Sequence, residues 1–194
     1  IVSFEWEQVP TWTYRVGGVL LKKEISFDTS IHRIYIRYTL LDAHSETTLR
    51  LRPFLAFRSV RQWTHENNVA NRSYDEVENG IRMCLYQGYP DLYMQTSKPA
   101  QWNYCPDWYR GMDYPKERER GYYATEDLLV PGYFEMPIHK GETITFSAGV
   151  APIEPKQIDV MLEKEIANID HRDSFYHCLV NAAHQFRVNK DKES

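Results

Sequence analysis

Four features are scarce or missing in this chain of 194 residues: phosphate-binding glycine loops, paired cysteines, long apolar runs and an excess of either charge. No GxGxxG, P-loop or GxSxG pattern occurs, which argues against dinucleotide binding, P-loop nucleotide chemistry and serine hydrolysis. The three cysteines, Cys84, Cys105 and Cys178, are far apart and form no CxxC pair. That spacing reads as reduced thiols rather than a disulfide frame or a zinc knuckle. His32, His44, His65, His139, His171, His177 and His184 make no HxxxH or HExxH pattern, so neither metal nor any other cofactor is expected. With 23 basic and 27 acidic residues the net charge is only −4, which predicts no nucleic-acid partner. No apolar run approaches the ~20 residues of a membrane span, and nothing from Ile1 onward reads as a basic-then-apolar leader. A cytoplasmic protein with no membrane partner is the expectation.

What the chain does have is alternation. Val19, Leu21, Ile25 and Phe27 alternate with Lys22, Glu24, Ser26 and Asp28. Ile34, Ile36, Tyr38 and Leu40 are read as facing inward, against Arg33, Arg37 and Thr39 facing out. Leu49, Leu51, Leu55 and Phe57 repeat the pattern, as do Ile81, Met83 and Leu85. Ile144, Phe146, Ala148 and Val150 form another run, entered through a turn at Lys140-Gly141. Period two means strands with one face on a core and one in water, and stacked antiparallel sheets bury such faces economically. The fold class is therefore mainly β, an antiparallel β-sandwich over residues 1–154. After Pro155 the spacing turns helical through Ile158, Met161, Leu162, Ile166 and Ile169. A second helix follows Asp173-Ser174, with Phe175, Cys178, Leu179, Ala182, Ala183 and Phe186 on one face. Residues 155–194 are read as a helical linker whose apolar stripes need a cover.

Between Trp102 and Glu135 no secondary-structure period survives, and rings, charges and turn residues crowd together. This predicts an irregular surface segment, and long structured loops usually carry function. Flat rings beside Arg and carboxylate groups suit a polyhydroxylated ligand such as a sugar.

The motifs in and around this stretch resemble a known family. DWYR (107–110), YPKERERG (114–121), EDL (126–128) and PGYFE (131–135) resemble the N-terminal domain of bacterial and archaeal glycogen debranching enzymes. LRLRPFLAFRSV (49–60) and THEN (64–67) lie upstream in the same order, and AAHQF (182–186) looks like the junction to that family's catalytic domain. The resemblance implies a supersandwich of the galactose-mutarotase-like kind, followed by an (α/α)6-barrel that would begin near the end of this chain. It implies a parent enzyme, a glycoside hydrolase with amylo-α-1,6-glucosidase activity that trims α-1,6 branches and, in some members, also transfers short α-1,4-glucan segments (4-α-glucanotransferase). The implied partners are α-glucan (glycogen or malto-oligosaccharide) and the catalytic domain. Both catalytic carboxylates would lie beyond residue 194, so none is assigned here, and the chain reads as an excised domain without debranching activity of its own.

The candidate substrate-binding or domain-interface residues are Trp108, Tyr109, Arg110, Glu117, Arg118, Glu119, Arg120, Glu126 and Asp127, together with His65, Glu66 and Asn67. Glycoside hydrolysis needs two carboxyl groups about 5 Å apart for retention and up to ~9.5 Å for inversion. For Glu117 and Glu119 a short helix fits better: Pro115 at the start, Glu117 early, Arg120 late and Gly121 at the exit. Their charges, like those of Glu126 and Asp127, are read as structural or interface ion pairs. Arg110 beside Trp108 and Tyr109 is either a stacked brace or a donor fork toward glucan. His65 with Glu66 is read as an acid–base pair or, against the expectation of no metal, as metal ligands, while Thr64 as a helix N-cap or Asn67 in a turn explains much of the motif. Two rival functions remain open: a free-standing lectin-like module, and a mutarotase-like aldose epimerase using His65 and a carboxylate.

Overall fold

The computed structural model describes residues 1–60, 62–169 and 174–185. Among these residues eleven strands form two antiparallel sheets. The large sheet has eight strands: β1 (Ser3–Trp6), β2 (Pro10–Val16), β3 (Val19–Asp28), β4 (Arg33–Asp42), β6 (Asp75–Val77), β7 (Gly80–Met83), β8 (Leu92–Thr96) and β11 (Thr143–Gly149). Their spatial order is β1-β2-β3-β4-β11-β8-β7-β6. The small sheet has three: β5 (Thr47–Leu51), β9 (Gln101–Asp113) and β10 (Thr125–Ile138), with β10 in the middle. Leu40, Ile81, Met94 and Ile144 from the large sheet meet Leu49, Leu129, Phe134 and Ile138 from the small one in a common core. That is the sandwich expected from the alternation.

The segment from Trp102 to Glu135 departs from the expectation. It is not an irregular loop but the two long strands β9 and β10, joined through helix α1 (Pro115–Glu119). Its period is hidden for a physical reason. Register shifts between Glu126 and Leu128, and between Val130 and Gly132, change which residues point inward partway along the pair. Five consecutive residues of β10, from Leu128 to Gly132, are also buried, so no polar face remains to mark the alternation. Gly132 sits at one of these shifts with φ +154°, where an added Cβ would lie 2.2 Å from the Asn103 carbonyl oxygen. Only glycine lets the strands approach there.

The outer face of β4 is the second departure. Arg33 was expected in solvent and is only 2% exposed. Helix α2 (Pro155–Ala167) covers this face and packs Ile158 and Leu162 against the fully buried Tyr35. Arg33 keeps its hydrogen bonds by donating Nη1 to Ser147 Oγ at 2.8 Å and Nη2 to the Ala151 carbonyl. Arg37 donates to both Glu24 oxygens, at 2.8 and 3.0 Å, and also reaches Glu163 on α2. Charges on a strand thus mark a face that holds a helix through ion pairs rather than one left to water. The helix α3 (Phe175–Gln185) shows the opposite outcome: Phe175 and Leu179 are 80% and 52% exposed. Phe186, assigned to the same stripe, lies outside the described residues.

Candidate functional site

A loop follows β5 and folds back over the β9–β10 end of the small sheet, and two adjacent carboxylates on β10 hold it there. Glu126 has no exposed surface. Its Oε2 accepts from Arg58 Nη2 at 3.0 Å and from the Tyr114 hydroxyl at 2.7 Å, while Oε1 accepts from Arg58 Nε and from the Thr64 amide at 3.2 Å. Burial pushes this carboxyl up, but the Arg58, Tyr114 and Thr64 donors outweigh it and hold it below the ordinary range. Asp127 points the other way along the loop. It accepts from the Glu66 amide at 3.0 Å and the Gly111 amide at 2.8 Å, and these two bonds hold its carboxyl low. Its own amide donates to the Thr64 carbonyl at 2.8 Å. Glu126, with four donors around its two oxygens, is a saturated anchor, whereas Asp127 holds the loop through one backbone amide on each oxygen.

The three residues from His65 to Asn67 diverge. His65 Nδ1 lies 3.6 Å from Asp127 Oδ2, and its ring meets Tyr123 edge-on at 5.7 Å. Glu66 turns to Arg110, which donates Nη2 to Oε1 at 2.9 Å and Nε to Oε2 at 2.5 Å. That fork lowers the Glu66 carboxyl. The carboxylate facing His65 is therefore Asp127, not Glu66. Asn67 donates to the Tyr86 hydroxyl at 2.9 Å and accepts from the Val69 and Ala70 amides at 3.1 and 3.0 Å, the turn role expected of it.

The other named residues separate. Trp108 is 3% exposed and belongs to the core between the sheets. Tyr109 is exposed on a different surface, edge-on to Phe54 at 5.0 Å. Glu117, Arg118, Glu119 and Arg120 form a local charge set around α1: Arg120 with Glu117 at 3.2 Å, Lys116 with Glu119 at 2.8 Å, and Arg118 with Asp113. The short helix begins with proline and has no buried residue.

Beside the anchored loop lies an open cleft of about 680 Å³, walled by Phe57, Trp63, Tyr86, Tyr89 and Tyr123 with Arg58, Gln62 and His65 among them. Trp63 stacks on Tyr114 at 4.8 Å and 22°, and the Arg58 guanidinium lies 4.8 Å over the Trp63 ring. The buried Glu126 pair thus fixes both supports of one ring in the wall. Reading the sequence singled out His65 and Asn67 but missed Arg58, Trp63, Tyr86, Tyr89, Tyr114 and Tyr123. Trp63 lies next to the THEN motif, and that adjacency is the signal that could have found it. The distant tyrosines converge only in three dimensions.

Among the described residues no group of three or more His, Cys, Asp or Glu side chains could hold a metal ion. Nor is any helix among those residues long and apolar enough to cross a membrane. The molecule is thus defined as a β-sandwich domain with a helix on its large sheet and a ring-walled cleft at one end. The chain belongs to the family described as the glycogen debranching enzyme N-terminal domain, whose sequence model matches residues 1–145. No curated protein matches it.

Proposed function

We propose that this domain presents α-glucan to the catalytic part of a glycogen debranching enzyme, through the cleft walled by Trp63, Tyr86, Tyr89 and Tyr123. The observation that carries the reading is the fixed ring wall beside hydrogen-bonding groups. Rings cover the apolar C–H face of a glucosyl unit while Gln62, His65 and Arg58 offer polar contacts. Residues 1–154 form the sandwich in this reading, and residues 155–194 lead toward an (α/α)6-barrel that supplies both catalytic carboxylates for α-1,6 hydrolysis. The domain braces that barrel in the cytoplasm. Its own Glu126, saturated by four donors, and Asp127, tied to two backbone amides, serve the wall and not the chemistry.

Calorimetric titration with maltoheptaose, beside affinity electrophoresis in glycogen, tests the cleft. Saturable binding that Tyr123→Ala weakens supports the proposal. Binding unaffected by substitution at Trp63, Tyr89 and Tyr123 overturns it. Glucose release from a branched limit dextrin by the chain alone should match a heat-killed control.

A further inference from the structure

A second recess lies on the outer face of the small sheet, away from the core. Asp107 and Val130 pair directly across β9 and β10, so their side chains share that face, and Tyr109 follows Asp107 on it at the strand period. Their neighbours Trp108 and Leu129 point the other way, into the core between the sheets. Val130 is nevertheless only 7% exposed, an apolar floor sunk outside that core. Around it Arg52, Cys105, Asp107 and Tyr109 wall a pocket of about 480 Å³, within the range of about 300–1,000 Å³ usual for small-molecule sites.

The polar groups in this wall are not consumed by the fold. Arg52, just past β5, makes no hydrogen bond or ion pair among the described residues, and its guanidinium rests 5.7 Å from the Tyr133 ring. Asp107 Oδ1 accepts from the Trp108 amide at 2.8 Å and lies 3.5 Å from Arg110 Nη2, whereas Oδ2 has no partner among the described residues. Tyr109 is half-exposed, with Phe54 edge-on against it at 5.0 Å. The pocket thus combines a donor fork, an open acceptor oxygen, a ring and an apolar floor. Neighbouring hydroxyls on an apolar ring match that set. The guanidinium donates to one oxygen, the carboxylate accepts from the next, and Tyr109 and Val130 cover C–H groups. A bare anion matches it less well, because Asp107 repels it.

We propose that this pocket is a second sugar site, taking glucosyl units of the same α-glucan that the ring-walled cleft holds. Its ligand class rests on that reading of the cleft; its geometry does not, since the two sites share no lining residue. They are neighbours all the same. Arg110 forks onto Glu66, which adjoins His65 in the cleft wall, and reaches Asp107 at the pocket. A glucan long enough to cross that fork engages both sites, and each contact then strengthens the other through effective concentration.

Cys105 is exposed in the pocket wall and reports occupancy directly. The test follows alkylation of the chain by iodoacetamide, read residue by residue by mass spectrometry, as maltose is added. Labelling of Cys105 should slow saturably, by about tenfold at about ten times the half-protecting concentration, while the exposed Cys178 on α3 keeps its rate. Arg52→Ala and Asp107→Asn, both at exposed positions, should each raise the half-protecting concentration at least about fivefold, and Tyr123→Ala in the cleft should leave it unchanged. Cys105 labelling that maltose does not slow, or slows equally in the Arg52→Ala chain, overturns the proposal even if Tyr123→Ala weakens maltoheptaose binding in calorimetry. Protection of Cys105 without any effect of the cleft substitutions on maltoheptaose binding keeps this site and removes the cleft. Protection by inorganic phosphate in place of maltose makes the pocket an anion site and overturns the proposal as well.

Discussion

Arg58 and Glu126 form a two-point ion pair, Nη2 to Oε2 at 3.0 Å with Nε to Oε1 beside it, around a carboxylate with no exposed surface. The pair links a loop after β5 to the middle strand of the small sheet, and the same guanidinium lies over Trp63. Fold and cleft therefore share one charge pair, and several consequences can be measured.

Arg58→Ala should be among the most destabilising substitutions outside the apolar core. It strands the buried Glu126 charge, a change that typically costs about 3–5 kcal/mol. Urea unfolding monitored by circular dichroism measures the loss. A change within ~0.5 kcal/mol would mean that Glu126 is solvated in solution.

Acid should loosen this loop before the rest of the sandwich. The Glu126 carboxyl is held below its ordinary value of 4.5, and Asp127 below 3.8. A depressed folded-state value means that the stabilisation is complete above the unfolded value and declines as pH falls through the folded one. Stability should be flat from about pH 7 to 5 and fall below about pH 4.5. Glu126→Gln should flatten part of that slope. Urea midpoints across the range, with amide exchange at Thr64 and Glu66, report both effects.

Tyr123→Ala should separate binding from stability. Tyr123 is 61% exposed and lines the cleft, so its loss removes little core. We expect a melting change within that of an ordinary surface site, ~0.5 kcal/mol, and weaker maltoheptaose binding by about three- to tenfold. Calorimetry beside thermal melts checks both halves.

The fork between Arg110 and Glu66 should prove weak. Both side chains are about half exposed, at 54% and 43%, where solvent screens the attraction. A double-mutant cycle with Arg110→Ala and Glu66→Ala should give a coupling of about 0–1 kcal/mol. In a full debranching enzyme, loss of turnover from Arg110→Ala with its melting point kept would make Arg110 a donor to bound glucan outside the ring-walled cleft, and the reverse pattern would make it a brace.

Ile158→Ala should cost about 2–5 kcal/mol, the range for a buried aliphatic truncation. Ile158 is fully buried against Tyr35 and joins α2 to the large sheet. Urea unfolding gives the value directly.

Local pattern alone was enough to mark β3, β4, β5, β7 and β11, and with them the sandwich, because the chain's chemistry alternates with the pleat wherever one face meets core and the other does not. The ordered motifs from Leu49 to Glu135 were enough to place the chain in its family. Pro115 and Gly121 were enough to mark the short helix between β9 and β10. Three-dimensional packing decided the rest. Arg33 reads as a solvent residue until Ser147 of β11 and the Ala151 carbonyl meet its guanidinium, contacts between positions more than a hundred residues apart. β9 and β10 read as irregular because register shifts move residues between faces without changing composition. The cleft is still less legible: Tyr86 and Tyr123 have ordinary sequence neighbours, and it is the bonds of Glu126 and Asp127 to one distant loop that set Trp63 and His65 beside them. Periodicity records what each residue's own strand demands, whereas a site is a relation between strands, and that relation exists only once the sheets have closed.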